Sequence, residues 1–231
     1  MNSPKISKRL LCAASFVKKG DFIADVGTDH AYLPIYLYTS GIISGAVVSD
    51  INEGPIERAQ KNIREFSCES KIIPVLCDGL SKIEEYSPDT VFILGMGGEL
   101  IANIIAGAEW LKQKAIKLVM QPMTHSEILR EYLAANGFEI CDEALVEDSK
   151  IYQVIVAKYT GVINSFNKLE LRFGKINLFK CEDILIDALM REKNILGARI
   201  KGKQIAGLEG GEDAELLAMI EDYLKQVKEN S

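Results

Sequence analysis

Histidine is scarce in this 231-residue sequence: there are two, His30 and His125, far apart in the chain. Chemistry built on clustered imidazoles, and a zinc site in particular, is therefore not expected. Cysteine is too sparse for a framework. The five, Cys12, Cys68, Cys77, Cys141 and Cys181, form no C-x-x-C pair, and the odd count suggests free, mostly buried thiols in a reducing compartment. No apolar run approaches the roughly 18 residues of a membrane span, and MNSPKISKRLLCAASF lacks a signal-peptide core, so a soluble cytoplasmic protein is expected. An excess of positive charge is also missing. The net charge of −6 argues against a general polyanion binder.

The charge is unevenly spread, however. Residues 1–19 carry Lys5, Lys8, Arg9, Lys18 and Lys19 with no acid, and the 191–203 stretch carries Arg191, Lys193, Arg199, Lys201 and Lys203 against Glu192 alone. Two basic segments thus stand at the two ends of an otherwise acidic chain.

A chain that is 48% hydrophobic can bury one full α/β core, with roughly 70 residues left for a smaller element. From Phe22 to about Lys158, short β-branched runs alternate with helical patterns, as in a mostly parallel sheet with crossover helices. Strands are predicted at 22–26, 45–50, 71–77, 90–95 and 117–122, and helices at 34–39, 55–65, 99–106 and 126–135, with Gly137 closing the last. FEICDEALVEDSKIYQVIVAKY then holds two strand-like runs around a polar turn, which is a hairpin rather than another βα unit. A parallel sheet finished by an antiparallel hairpin is the seven-stranded, Rossmann-like methyltransferase arrangement; a dinucleotide-binding domain ends on a parallel strand. Beyond Gly161, apolar residues recur every three or four positions over 181–200 and 216–227, with GLEGGEDAE between them. This predicts an antiparallel, coiled-coil-like helical hairpin. The expected domains are a cofactor-binding methyltransferase domain over 1–160 and the helical hairpin over 161–231.

In open α/β sheets, ligands lie beyond the carboxyl ends of the strands. The first strand runs into DVGTDHAYL, where Gly27 lets the backbone approach a ligand. The further glycines of a pyrophosphate loop are missing. Asp25 and Asp29 would repel a pyrophosphate but suit the ammonium and sulfonium of S-adenosylmethionine. The second strand ends in Asp50, which can take the ribose hydroxyls, and the third in Cys77-Asp78-Gly79-Leu80, where Asp78 can accept the adenine amino group and Leu80 can cover the ring. The fourth ends in Gly95-Met96-Gly97-Gly98, a side-chain-poor loop against which a flat substrate can lie.

The string DFIADVGTDHAYLPIYL, followed in order by SDIN, DGL, GMGG and QPM and preceded by Arg9-Leu10, resembles the bacterial tRNA (adenine-22-N1)-methyltransferase family over the whole chain. The resemblance implies methylation of N1 of an adenine in the D-loop region of tRNA, with S-adenosylmethionine as cofactor. It implies that Gly27, Thr28, Asp29 and His30 line the methionine part of the cofactor, Asp50 and Ile51 the ribose, and Asp78 and Gly79 the adenine. It further implies that Gly95, Met96 and Gly97 border the target base, with Arg9 and Gly95 also in reach of the cofactor.

N1 of adenine has an outward lone pair, so methyl transfer needs in-line approach more than a strong base. Asp29 either stabilises the developing charge or only holds the cofactor's ammonium; His30 and Tyr32 are candidate polar or stacking partners, and Met96 borders the transfer. The adenine must leave its stack, and Tyr32, Met96, Pro122, Met123 and Tyr152 are candidates to replace the lost stacking. Lys5, Lys8 and Lys18, with Arg191, Lys193, Arg199, Lys201 and Lys203, are expected to hold tRNA phosphates on either side of the pocket. No membrane and no obligatory protein partner is expected. Two alternatives share the same cofactor half: a methyltransferase for a small molecule, and a non-catalytic RNA-binding relative.

Overall fold

The computed structural model describes residues 3–113 and 116–229. The chain divides into two units, Met1–Ser165 and Phe166–Ser231.

In the first unit a short helix, α1 (Lys8–Ala14), precedes five parallel strands, four of which are followed by an α-helix. These are β1 (Phe22–Val26), α2 (Tyr32–Thr39), β2 (Gly45–Asp50), α3 (Glu53–Glu65), β3 (Ile72–Leu76), β4 (Thr90–Gly97), α4 (Gly98–Ala106), β5 (Lys117–Thr124) and α5 (Ser126–Ala135). The hairpin strands β6 (Phe138–Asp148) and β7 (Lys150–Tyr159) complete a seven-stranded sheet in the order β3-β2-β1-β4-β5-β7-β6. The first five strands are parallel, and β7 enters antiparallel to β5 with Leu118 opposite Ala157. Strands β1, β2 and β4 read as nearly continuous apolar runs because helices cover both faces of the sheet. Ala24, Val26, Val47, Val91 and Ile93 pack on one side, and Ile23, Ala46, Val48 and Phe92 on the other.

The hairpin turns at Ser149, at φ 58°, between the paired Asp148 and Lys150. A buried ion pair ties it to α5. Arg130, fully buried, donates from Nε to Glu143 of β6 at 2.8 Å and from Nη2 to Gln153 of β7 at 2.6 Å.

Three features depart from the sequence expectations. Helix α1 carries no long apolar period to announce it; Ser7 caps it by accepting the amide of Leu10. Strands β4 and β5 run on to Gly97 and Thr124, their register slipping at Gly95 and again after Met96. Burial of thiols holds for Cys68 and Cys77, whereas Cys12 and Cys181 are half-buried and Cys141 is exposed on β6, an edge strand.

The second unit begins with two short helices that the apolar period did not announce, α6 (Lys168–Phe173) and α7 (Lys175–Lys180). Asn167 and Glu170 form a reciprocal capping box at the start of α6. The long helices α8 (Asp183–Ile205) and α9 (Gly211–Glu229) pack together. Lys193 pairs with Glu221 while Lys203 and Arg199 pair with Asp213, a register that only antiparallel helices can give. Among the described residues no helix is long and apolar enough to cross a membrane.

Candidate functional site

The neighbours β1 and β4 lead to helices whose following strands lie on opposite sides, so a crevice opens between their carboxyl ends. After Val26 the chain turns at Gly27, at φ 74°. The amides of Gly27 and Thr28 both donate to the Ser49 carbonyl, at 2.8 and 2.9 Å, which fastens the turn to the end of β2. A side chain at 27 is disfavoured by the dihedral, and it would also have to displace the flexible end of Met96, whose Cε fills the place where a Cβ would stand. Thr28 is buried and accepts the Ala31 amide at 3.1 Å; Ala31, at φ 55°, caps α2 three residues ahead of Pro34. Proline within the first helical turn removes an amide that would have had no partner.

Each strand-end acid meets a different environment. Asp25 is 8% exposed, and burial raises its pKa to about 6, partly offset by a hydrogen bond with Thr28. Asp29 lies outside the crevice floor with both oxygens committed, Oδ1 to the Arg58 guanidinium of α3 and Oδ2 to His30 Nε2 at 3.1 Å. A free carboxylate acting as proton acceptor is not what the geometry offers there. Instead Asp29 orients His30, whose ring stacks on Tyr32 at 5.1 Å between centroids and 14° between planes. Arg58 was missed, because in sequence it is one of several cations on a charged helix.

At the end of β2, Asp50 uses Oδ1 for the amide and side chain of Asn52, at 2.8 and 3.1 Å, and Oδ2 has no partner among the described residues. Its carbonyl accepts the Cys77 amide at 3.0 Å, drawing the ends of β2 and β3 together. Ile51 is 60% exposed beside it. Asp78 is exposed, and Gly79 turns at φ 51° against Ile104. Leu80 departs from its expected role: it is 3% exposed and packs in the core with Ile83 and Ile101, leaving little surface for a ring.

Across the crevice a second cluster forms over the glycine loop. Arg9 donates to the buried Gln121 of β5, lies 5.5 Å from the centroid of the Tyr152 ring, and has Nη1 3.5 Å from the place of a Cβ on Gly95. Lys150 approaches the same ring at 5.2 Å and donates to the Met123 carbonyl at 3.3 Å. Met123 is half-buried, whereas Pro122 is buried and unavailable for stacking. Gln121 stands in the QPM string but takes no role from sequence, and Lys150, a lysine beside a turn, carries no pattern of its own. Gly98 belongs to the frame, since a Cβ there would collide with the His125 carbonyl oxygen.

The expected RNA-binding residues separate. Lys5 and Lys8 are exposed near Arg9 in sequence, but Lys18 lines a groove of about 350 Å³ with Asp21, Pro88, Asp89, Thr90 and Lys117, at the amino ends of the strands. A strand of five residues, on the order of 16 Å, lies between that end and the crevice. In the second unit, Lys193 pairs with Glu221 and Arg199 and Lys203 share Asp213, so three of the five basic residues of the stretch are engaged with acids of α9.

The crevice fits S-adenosylmethionine. It has one side-chain-free turn at the switch point, a buried acid at Asp25, an acceptor oxygen at Asp50, and a buried hydroxyl, Ser49 Oγ, with no partner among the described residues. A family model described as "Methyltransferase domain" matches residues 6–155. The tRNA (adenine(22)-N(1))-methyltransferase of Bacillus subtilis (strain 168) is 39% identical over 178 residues, 76% of this chain and 74% of that one. The Streptococcus pneumoniae protein Sp1610, solved in complex with S-adenosyl-L-methionine, superposes with a TM-score of 0.84 at 31% identity, covering 95% of this chain and all of the other. M. capricolum TrmK, solved with the natural cofactor product S-adenosyl-homocysteine, gives a TM-score of 0.79 at 26% identity over 96% of this chain and 98% of that one.

Proposed function

Because this chain belongs to the tRNA (adenine(22)-N(1))-methyltransferase family, we infer that it methylates N1 of adenine 22, in the D-loop region of tRNA, using S-adenosylmethionine. The observation that carries this reading is the pair Gly27 and Met96, which meet where β1 and β4 part, with Asp25, Asp50 and Asp78 at three successive strand ends. A cytoplasmic enzyme that needs no obligatory protein partner is part of the same proposal.

When bound, S-adenosylmethionine supplies an electrophilic methyl group. The protein's task is then placement of N1 in line with it, since the adenine brings its own lone pair. Asp50 Oδ2 holds the ribose, Asp78 and Gly79 border the adenosine ring, and Asp25 with Thr28 faces the cationic methionine moiety. The side-chain-poor Gly95–Gly97 segment lets the target base lie flat near the donor. His30 and Tyr32, already parallel and each more than a third exposed, replace the stacking lost by a base turned out of its helix. Asp29 acts through His30, whose imidazole it orients against Tyr32. Exposed Lys5, Lys8 and Lys150 supply phosphate contacts beside the crevice.

Incubating the protein with labelled cofactor and unmodified bulk tRNA, followed by nucleoside analysis, tests this. We expect 1-methyladenosine. Methylation of a metabolite without tRNA would support the small-molecule alternative, and no cofactor binding at all would support the non-catalytic one.

A further inference from the structure

Gln121 is a polar side chain with no exposed surface, on the β5 strand opposite Leu94 of β4. Its amide is fully committed. Nε2 donates to the Pro122 carbonyl at 2.8 Å and reaches Met123 Sδ at 3.6 Å, which turns Oε1 toward Arg9 Nη1. An amide oxygen can only accept and a guanidinium can only donate, so the pair has one possible orientation. The Tyr152 ring packs against the guanidinium at 5.5 Å, and the backbone amide of Arg9 reaches Asp148 Oδ2 at 3.4 Å. Beside Nη1, Gly95 offers no side chain to cover it.

A neutral acceptor in this place fixes an arginine without cancelling its charge, which a carboxylate would do. A guanidinium so fixed has most of its N–H groups left to donate, and charge-assisted bonds to an oxyanion are the strongest use for them. Lys150, over the same ring, adds a second positive charge.

We propose that Gln121 is a positioning residue that holds Arg9 as an oxyanion-binding group at the mouth of the crevice. The oxyanion is a carboxylate or a phosphate: the cofactor's own carboxylate, or the RNA backbone beside the target base. The phosphate arm rests on the tRNA reading above; the carboxylate arm does not.

The test is a double-mutant cycle in the full chain with Arg9→Met, Gln121→Met and both together. Cofactor Kd is measured by calorimetry without RNA, and kcat and KM for tRNA by methyl transfer. Each single variant is expected to weaken one of the two affinities about tenfold, with kcat little changed, and the double variant to be no worse than Arg9→Met. A rise in cofactor Kd identifies the carboxylate; a rise in KM alone identifies the phosphate. Gln121→Glu keeps the acceptor toward Arg9 but sets a carboxylate oxygen against the Pro122 carbonyl and cancels the charge, so it should melt lower than wild type and lose the same affinity. Unchanged affinities in Gln121→Met, additive losses in the double variant, or full affinity in Gln121→Glu would each overturn the proposal. If the wild type binds cofactor but methylates no tRNA, the tRNA reading fails, the cofactor arm alone decides, and a flat Kd across the cycle overturns the role of Gln121.

Discussion

Asp25 sits where its own charge is a burden, because burial raises its pKa from 3.8 to about 6. A carboxyl that binds its proton more tightly when folded makes the native state lose stability as pH rises from 3.8 to 6, and the full cost persists above 6. Two pKa units correspond to about 3 kcal/mol. Asp25→Asn should therefore raise the stability of the cofactor-free protein at pH 7–8 by up to about 3 kcal/mol, with the gain vanishing near pH 4. It should at the same time weaken cofactor binding, most visibly above pH 6, where the wild-type carboxylate is ionised. Denaturant titrations at several pH values and calorimetry check both halves; equal stability at every pH would show that Asp25 is not strained by burial. At Gly27 the expectation is different. Gly27→Ala places a methyl group in the left-handed region and against Met96, a conformational strain of roughly 1–2 kcal/mol. Calorimetry should show cofactor affinity falling at least about tenfold while the melting temperature shifts by only a few degrees. The acids and this glycine were legible in the sequence because they follow strands. What Asp29 does was not, since its partner Arg58 comes from a helix 29 positions on, and only folding brings the two together.

Among the elements, the β6–β7 hairpin depends on one buried cation. Removing one partner of a buried ion pair costs about 3–5 kcal/mol because the other charge is left uncompensated. Arg130→Leu should lower unfolding free energy by about that amount, as read from denaturant midpoints, and loosen Tyr152, the neighbour of Gln153. The strand positions followed from β-branched runs and turn residues, so their starts could be read in advance to within a residue, whereas β4 and β5 run two residues past their expected ends. Helices α1, α6 and α7 could not be read in advance. Each is six or seven residues long, too short to display an apolar period; side-chain caps fix α1 and α6, and α7 is held instead through the buried Asn177, which donates to the Phe173 carbonyl. The basic stretch of α8 carries a similar lesson. Charge counted along the chain ignores the acids of α9 that fold against it. Replacing Lys5, Lys8 and Lys150 with alanine should flatten the salt dependence of tRNA binding by about 0.7–0.9 for each phosphate no longer neutralised. The Lys193, Arg199 and Lys203 triple alanine variant should change that slope less and lower thermal stability more, because Asp213 loses both its cations. Equal slopes for the two variants would return the hairpin to the RNA interface.

On the scale of the whole molecule, the strand order places the cofactor crevice and the cluster around Arg9 at the same carboxyl edge of one sheet, while Lys18 is left at the other. The seven-stranded arrangement and the appended helical hairpin were both readable from the change of rhythm after Gly137 and again after Gly161. The contents of the far wall were not. Arg9, Gln121 and Tyr152 come from α1, β5 and β7, and no spacing in the sequence relates them. In the proposed reading, the crevice has its methyl-donor side on β1–β3 and a cationic, aromatic side on β4, β5 and β7 that brings the nucleobase to the donor. The most direct measurement is methyl transfer to a single unmodified tRNA transcript and to the same transcript with adenine 22 replaced by guanine. 1-Methyladenosine should form in the first and be absent from the second. Equal methylation of both, or none of either while the cofactor binds, would contradict the assignment.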